Sequence, residues 1–268
     1  MKRMLAGLIV AAAMVAPAMA ADLAPRAYTK AAPVDLGYNW SGWYVGGNAG
    51  YAWGRSDPST TTEFTPTNYW NLLSVPQVNA AGTGPRLNAS GFVGGGQFGY
   101  NYQIGNIVWG AEADFESFNI KGSRFGAAAY ACCAGSFSLN QTTSTDWLFT
   151  LRGRLGWAVN NLLLYTTGGL AVTNLKYGET FVDTFGANEA VNYSNTKAGW
   201  TVGAGAEYGI TKNWTVKAEY LYLDFGSLSG TSLLGPFAVT GCSCTRMFHS
   251  TDLTASVARV GFNYRFGG

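Results

Sequence analysis

The chain has little charge. Asp, Glu, Lys and Arg make up 12% of its 268 residues, against roughly 25% in an ordinary soluble domain. It has one histidine, His249, which argues against an enzyme that relies on imidazole chemistry. Beyond the N-terminus no stretch approaches the roughly 18 to 20 apolar residues of a membrane-crossing helix, so a helical membrane protein is excluded. No Gly-X-Y period is present, which excludes collagen. No basic stripe is present either, so nothing argues for nucleic acid, whose phosphates need one. Disorder is excluded because the net charge is only +2 and hydrophobic residues reach 47%, the reverse of a disordered composition.

What the chain does have is glycine, aromatics and the turn formers Asn, Thr and Ser. There are 36 glycines, and aromatics make up 15%. The first residues read as a secretory signal. Lys2 and Arg3 form a positive region, Met4 to Ala16 is apolar, and Ala18-Met19-Ala20 is a small-x-small cleavage pattern. Cleavage after Ala20 removes two bases and no acid, and leaves acids and bases in equal number. A Pro/Ala-rich periplasmic segment, 21–40, follows, and 41–268 is expected to be one barrel domain.

From Trp40 onward one theme repeats: 12 to 16 residues of period-2 alternation, with strands expected near Gly42–Gly54, Ser90–Gln103, Ile107–Ile120, Asp146–Val159, Leu162–Tyr177, Lys197–Ile210, Trp214–Phe225 and Leu253–Phe266. Long and short connections alternate. The short ones, at Ile104-Gly105-Asn106, Asn160-Asn161 and Thr211-Lys212-Asn213, carry Gly and Asn, which tolerate the positive φ of tight hairpins. This pattern predicts an all-β fold: an eight-stranded antiparallel transmembrane β-barrel with four long extracellular loops, three short periplasmic turns and both termini in the periplasm. Each strand exceeds the 9 to 11 residues needed to cross a bilayer at a tilt.

The two faces of the strands separate. Trp147, Phe149, Leu151, Leu155 and Trp157 share one face of the fourth strand, and Thr150, Arg152, Arg154 and Gly156 the other. The fifth strand is ambiguous, because Tyr165 opposes its other large residues. A charge on the lipid face costs about 2 to 4 kcal/mol at the midplane for Arg or Lys, so the charged face must point inward. The expected lumen network is Glu112, Asp114, Glu116, Glu207 and Glu219 facing Arg152, Arg154, Lys217, Arg259 and Arg265. Eight strands enclose just enough room for side chains, so the lumen reads as a plug, with a narrow ion path as the sharper alternative. Seven of the nine tryptophans fall near strand ends: Trp43, Trp109, Trp157 and Trp214 at one interface, Trp53, Trp147 and Trp200 at the other.

Cys132 and Cys133 fall in the second long loop, and Cys242 and Cys244 in the fourth, in an oxidising compartment. Four cysteines allow three connectivities. A bond between adjacent cysteines is strained, so the expected disulfides join the loops, Cys132–Cys242 with Cys133–Cys244 or the reverse. A metal site on these cysteines is the rival, poorly matched by C-C and C-x-C spacing. His249 is expected as an exposed residue of the fourth loop, and as a weak haemin ligand. Thr60 to Thr62 and Gln141 to Thr145 read as ordinary polar loop. No catalytic, cofactor or metal constellation is expected.

Asn39-Trp40-Ser41-Gly42-Trp43-Tyr44-Val45-Gly46-Gly47-Asn48-Ala49-Gly50-Tyr51 resembles the first strand of the alphaproteobacterial outer-membrane surface-antigen barrels (the RopB and immunogenic porin-family proteins, including haemin-binding members). The likeness continues through Gly105 to Asp114 and ends with Arg259-Val260-Gly261-Phe262-Asn263-Tyr264-Arg265-Phe266. It implies a structural, envelope-stabilising surface barrel in outer-membrane lipid, with haemin or small-solute binding or porin-like transport as the alternative function. Implied partners are the barrel-assembly machinery, which reads the C-terminal strand, peptidoglycan through Ala21, and haemin or host surface molecules. One departure is the Gly267-Gly268 that follows the terminal aromatic Phe266.

Overall fold

The computed structural model describes residues 38–66, 68–234 and 245–266. The expected signal, most of 21–40, Cys242, Cys244, Gly267 and Gly268 lie outside those residues. The elements are β1 (Gly42–Ser56), β2 (Ser59–Thr62), α1 (Val75–Gly82), β3 (Leu87–Ile104), β4 (Ile107–Ala129), β5 (Ser136–Ser144), β6 (Trp147–Val159), β7 (Leu162–Asp183), β8 (Asn188–Gly209), β9 (Trp214–Leu233) and β10 (Arg246–Arg265).

Neighbouring strands pair antiparallel in chain order, and β10 returns to β1, from Tyr44 opposite Arg265 to Arg55 opposite Thr254. Two pairs of elements each make one stave. β5 and β6 follow one another between β4 and β7. β2 continues the register of β1 along β10, with Ser59 opposite Ser250, after a break at Asp57-Pro58, where proline has no N–H to donate. The result is a ring of eight staves with no free edge, the closure that removes the edge-pairing hazard of a sheet. The tight turns use the expected residues: Gly105 has φ +59° and Asn160 φ +52°, and both residue types accept the left-handed region.

All eight expected strands are present, and most run well past their expected outer ends. Much of the last three long excursions is strand: β4 continues to Ala129, β8 starts at Asn188 and β10 at Arg246. The reason is a change of surroundings. Between the tryptophan belts the outer face is apolar. Beyond them it is polar, and the inner face becomes apolar, as with Phe118, Ile120, Leu175, Phe181, Phe225 and Leu228. A period-2 pattern whose phase inverts partway reads as loop when the apolar face is assumed to stay outside. A helix was not expected. In α1, Pro76 occupies the first turn, Val78 and Gly82 are buried, and the Asn79 amide bonds both the N–H and the C=O of Thr62 at 2.8 and 3.1 Å. The amide thereby substitutes for a strand partner and ties the helix to β2.

The outward face carries the belts. Trp43, Trp109, Trp157 and Trp214 at the turn end, and Trp53 and Trp200 at the loop end, are each 45–55% exposed. β7 loses its ambiguity, because Tyr165 points inward and is buried. Leu151 lies midway along β6 on the outer face, 51% exposed. Leu151→Arg is therefore expected to lower the stability of the barrel in lipid vesicles by about 2 to 4 kcal/mol, read by urea unfolding. Unchanged stability would contradict the outward assignment.

Candidate functional site: the lumen

The lumen is built in layers. At the turn end Trp40, Val108, Ala158, Leu163 and Tyr165 form an apolar plug. Trp40 is fully buried, and its backbone N–H donates to Gln103 Oε1 at 2.7 Å. Above the plug lies the charge network, and above that an apolar layer that includes Phe118, Ile120, Leu148, Leu221 and Leu253. A polar layer around His249 comes next, and a last apolar cap of Trp70, Val78, Phe137, Leu139, Phe181 and Met247 closes the loop end.

The network follows from strand geometry. Residues two apart share a face, so β4 presents Glu112, Asp114 and Glu116 inward together, and β6 presents Arg152 and Arg154. Arg152 Nη2 lies 2.5 Å from Glu112 and 2.7 Å from Asp114, and its Nη1 lies 3.0 Å from Glu219. Arg259 donates through Nε to Glu219 at 2.8 Å and through Nη2 to Asp114 at 3.1 Å, and it also pairs with Glu116. Lys217 Nζ is 2.9 Å from both oxygens of Glu112. Arg154 binds Glu207 at 2.7 Å and Glu112 at 3.3 Å. Neutral groups complete the shell. Tyr44 donates to Glu112 at 2.8 Å, Tyr165 to Glu219 at 3.1 Å, Thr150 to Asp114 at 2.5 Å and Thr215 to Glu207 at 2.5 Å. Every charged member is buried.

Nine of the ten expected network residues meet, and Arg265 does not. It is inward and buried, but it ends β10 at the turn end, below the acids. Its guanidinium donates to the backbone carbonyls of Asn39 and Ser41. It stands over the rings of Tyr38 and Trp40 at 4.8 and 5.7 Å, and so fastens the plug. The remaining acids outnumber the bases by one, and Glu116 Oε2, at the top of the network, accepts no hydrogen bond.

His249 also departs from expectation. It is no loop residue: it lies on β10, faces the lumen and is 3% exposed. The outward extension of β10 puts Met247, His249 and Thr251 on the inner face. His249 Nδ1 is 3.3 Å from Glu179 Oε2 and 3.2 Å from Thr60 Oγ1. Its Nε2 is 2.6 Å from Ser232 Oγ and 3.7 Å from Glu189 Oε1. Burial disfavours the imidazolium, but the carboxylates on either side outweigh it and hold the pKa up, at about 9. This layer stands beyond the outer tryptophan belt. Sequence reasoning missed Glu179, Glu189 and Gln141, because all three fall in segments read as loop; Tyr177 closed an expected strand but was not singled out. The available signal was period-2 spacing, as in Phe137, Leu139, Gln141 and Thr143, all buried.

The sulfurs of Cys132 and Cys133 lie against each other. Their expected partners across the mouth, Cys242 and Cys244, lie outside the described residues. Gly135 closes this short connection by donating to the Cys133 carbonyl at 2.8 Å.

Comparison with known proteins agrees with this architecture. The outer membrane protein beta-barrel domain family matches residues 7–266. The 31 kDa outer-membrane immunogenic protein of Brucella melitensis is 38% identical over 262 residues, covering 96% of this chain and 97% of the relative. The 22 kDa outer membrane protein of Rhizobium leguminosarum is 30% identical over 196 residues, covering 73% of this chain and 69% of the relative. Among solved structures, the outer membrane protein OprG of Pseudomonas aeruginosa is 15% identical with a TM-score of 0.45, covering 86% of this chain and 98% of the other. The chain belongs to the outer-membrane β-barrel family of the alphaproteobacterial immunogenic surface proteins, and it is a structural protein of the outer membrane.

Proposed function

We propose that this barrel strengthens the envelope as a sealed stave of the outer membrane and meets its surroundings through the excursions at its loop end. The filled lumen carries this reading: the turn-end plug, the ion network and two apolar layers leave side chains where a channel would need water. In this reading the short turns and both termini are periplasmic, the leader is cleaved after Ala20, and the assembly machinery reads β10 and Phe266. Peptidoglycan attachment through Ala21 extends it. Lysozyme-released protein would then carry a muropeptide-modified N-terminal peptide, and an unmodified Ala21 would remove that part.

Haemin binding or small-solute transport is the weaker reading. Both nitrogens of His249 are engaged and its ring is enclosed, so an iron porphyrin could reach it only by opening the layer. An enzyme is weaker still. Ser232, His249 and Glu179 stand in the order of a nucleophile, base and carboxylate, but Glu189 crowds the same ring nitrogen as Ser232 and the ring faces no open cleft. A deletion strain is expected to become sensitive to detergent and chelator and to recover with the wild-type gene. A defect in haem or nutrient uptake with an intact envelope would overturn the structural reading.

The same reading makes the network a matter of stability. Removing one partner of a buried ion pair leaves its neighbours as uncompensated charges, at about 3 to 5 kcal/mol. Arg259→Met, which strands Asp114, Glu116 and Glu219, is expected to lose stability on that scale in urea unfolding. A loss below ~1 kcal/mol, the level of exposed pairs, would show that the network holds nothing together.

A further inference from the structure

We propose that Glu179, Glu189 and His249 form a binding site for a divalent transition metal, zinc being the best fit, inside the loop end of the barrel. Three strands supply the groups: Glu179 from β7, Glu189 from β8 and His249 from β10. All three are buried, and one ligand atom from each lies within 4.8 Å of the other two. Zinc makes bonds of roughly 2.0 to 2.2 Å to imidazole nitrogen and carboxylate oxygen, so a bound zinc would take over one ring nitrogen from its present hydroxyl contact with Thr60 or Ser232.

A second observation points to a missing cation. Glu189 is 6% exposed, yet neither of its carboxylate oxygens accepts a hydrogen bond. Its approach to His249 Nε2, 3.7 Å, is too long for one. Glu179 Oε1 is also buried without a partner. A buried carboxylate oxygen without a hydrogen bond is costly, and Glu189 has only the 3.7 Å approach of the imidazole. A dication between the two carboxylates would satisfy the oxygens that the imidazole and the nearby Arg124 leave without a hydrogen bond. An imidazole in the set favours zinc and its transition-metal neighbours over magnesium or calcium, which prefer all-oxygen shells.

The surrounding shell is already set to orient the ligands. Thr60 and Tyr177 donate to Glu179 Oε2, and Gln141 Nε2 donates to it at 3.3 Å. Such outer contacts fix ligand direction in metal sites. A metal here would tie β7, β8 and β10 together above the membrane and stiffen the loop end.

The test is zinc titration by calorimetry of the full chain refolded in detergent, with folding checked by heat-modifiable mobility. One zinc per chain is expected, with Glu189→Gln and His249→Gln each weakening binding at least tenfold while remaining folded. X-ray absorption of the zinc-loaded wild type is expected to show nitrogen and oxygen ligands and no sulfur. It needs no variant, so it decides the matter if a substitution fails to fold. Absence of saturable zinc binding, full affinity in both folded variants, or sulfur in the coordination shell would each overturn the site.

Discussion

A narrow closed barrel in lipid leaves charge nowhere to go but inward, and leaves no water inside to receive it. Every other feature of the lumen answers that constraint. Arg152, Arg259 and Lys217 each bridge acids of different strands, so the network is a cross-brace as well as a neutralisation. Tyr44, Tyr165, Thr150 and Thr215 donate to further acceptor positions on Glu112, Glu219, Asp114 and Glu207. Space for these side chains comes from glycine. A Cβ at Gly205 would fall 2.6 Å from the Tyr165 ring, so the phenol that completes Glu219 requires a bare backbone on the neighbouring strand.

The same constraint explains the inversion along the barrel. Where lipid ends, the outer face no longer has to be apolar and water can cover it. The inner face is then free to pack as an ordinary protein core, and it does so twice, below and above the His249 layer. The barrel is thus an inside-out protein within the membrane and a conventional one above it. At the other end, the segment Tyr38 to Trp40 folds into the mouth and Arg265 holds it there through backbone carbonyls and ring faces.

Much of this was legible from the residues. Alternation placed each strand, and the cost of charge in lipid chose the inward face, so nine network residues could be named from spacing alone. Arg265 was misassigned because alternation reports which face a residue is on and says nothing of its height along the axis. The extended strands were missed because their pattern was read in a single phase. Those missed strands are the ones that bring His249, Glu179 and Glu189 together, so the cluster could not be assembled while His249 stood 60 and 70 positions from the two acids, all in apparent loops. The helix α1 is a short local event, stabilised by the Asn79 contact to β2, which no helical periodicity announces.

The central claim is that the lumen is sealed by paired charge rather than open to ions. Its most direct test is the electrical conductance of the refolded full-length barrel in a planar lipid bilayer. The structure predicts a silent membrane, without large, stable single-channel steps. Persistent steps of that kind from folded protein would contradict it.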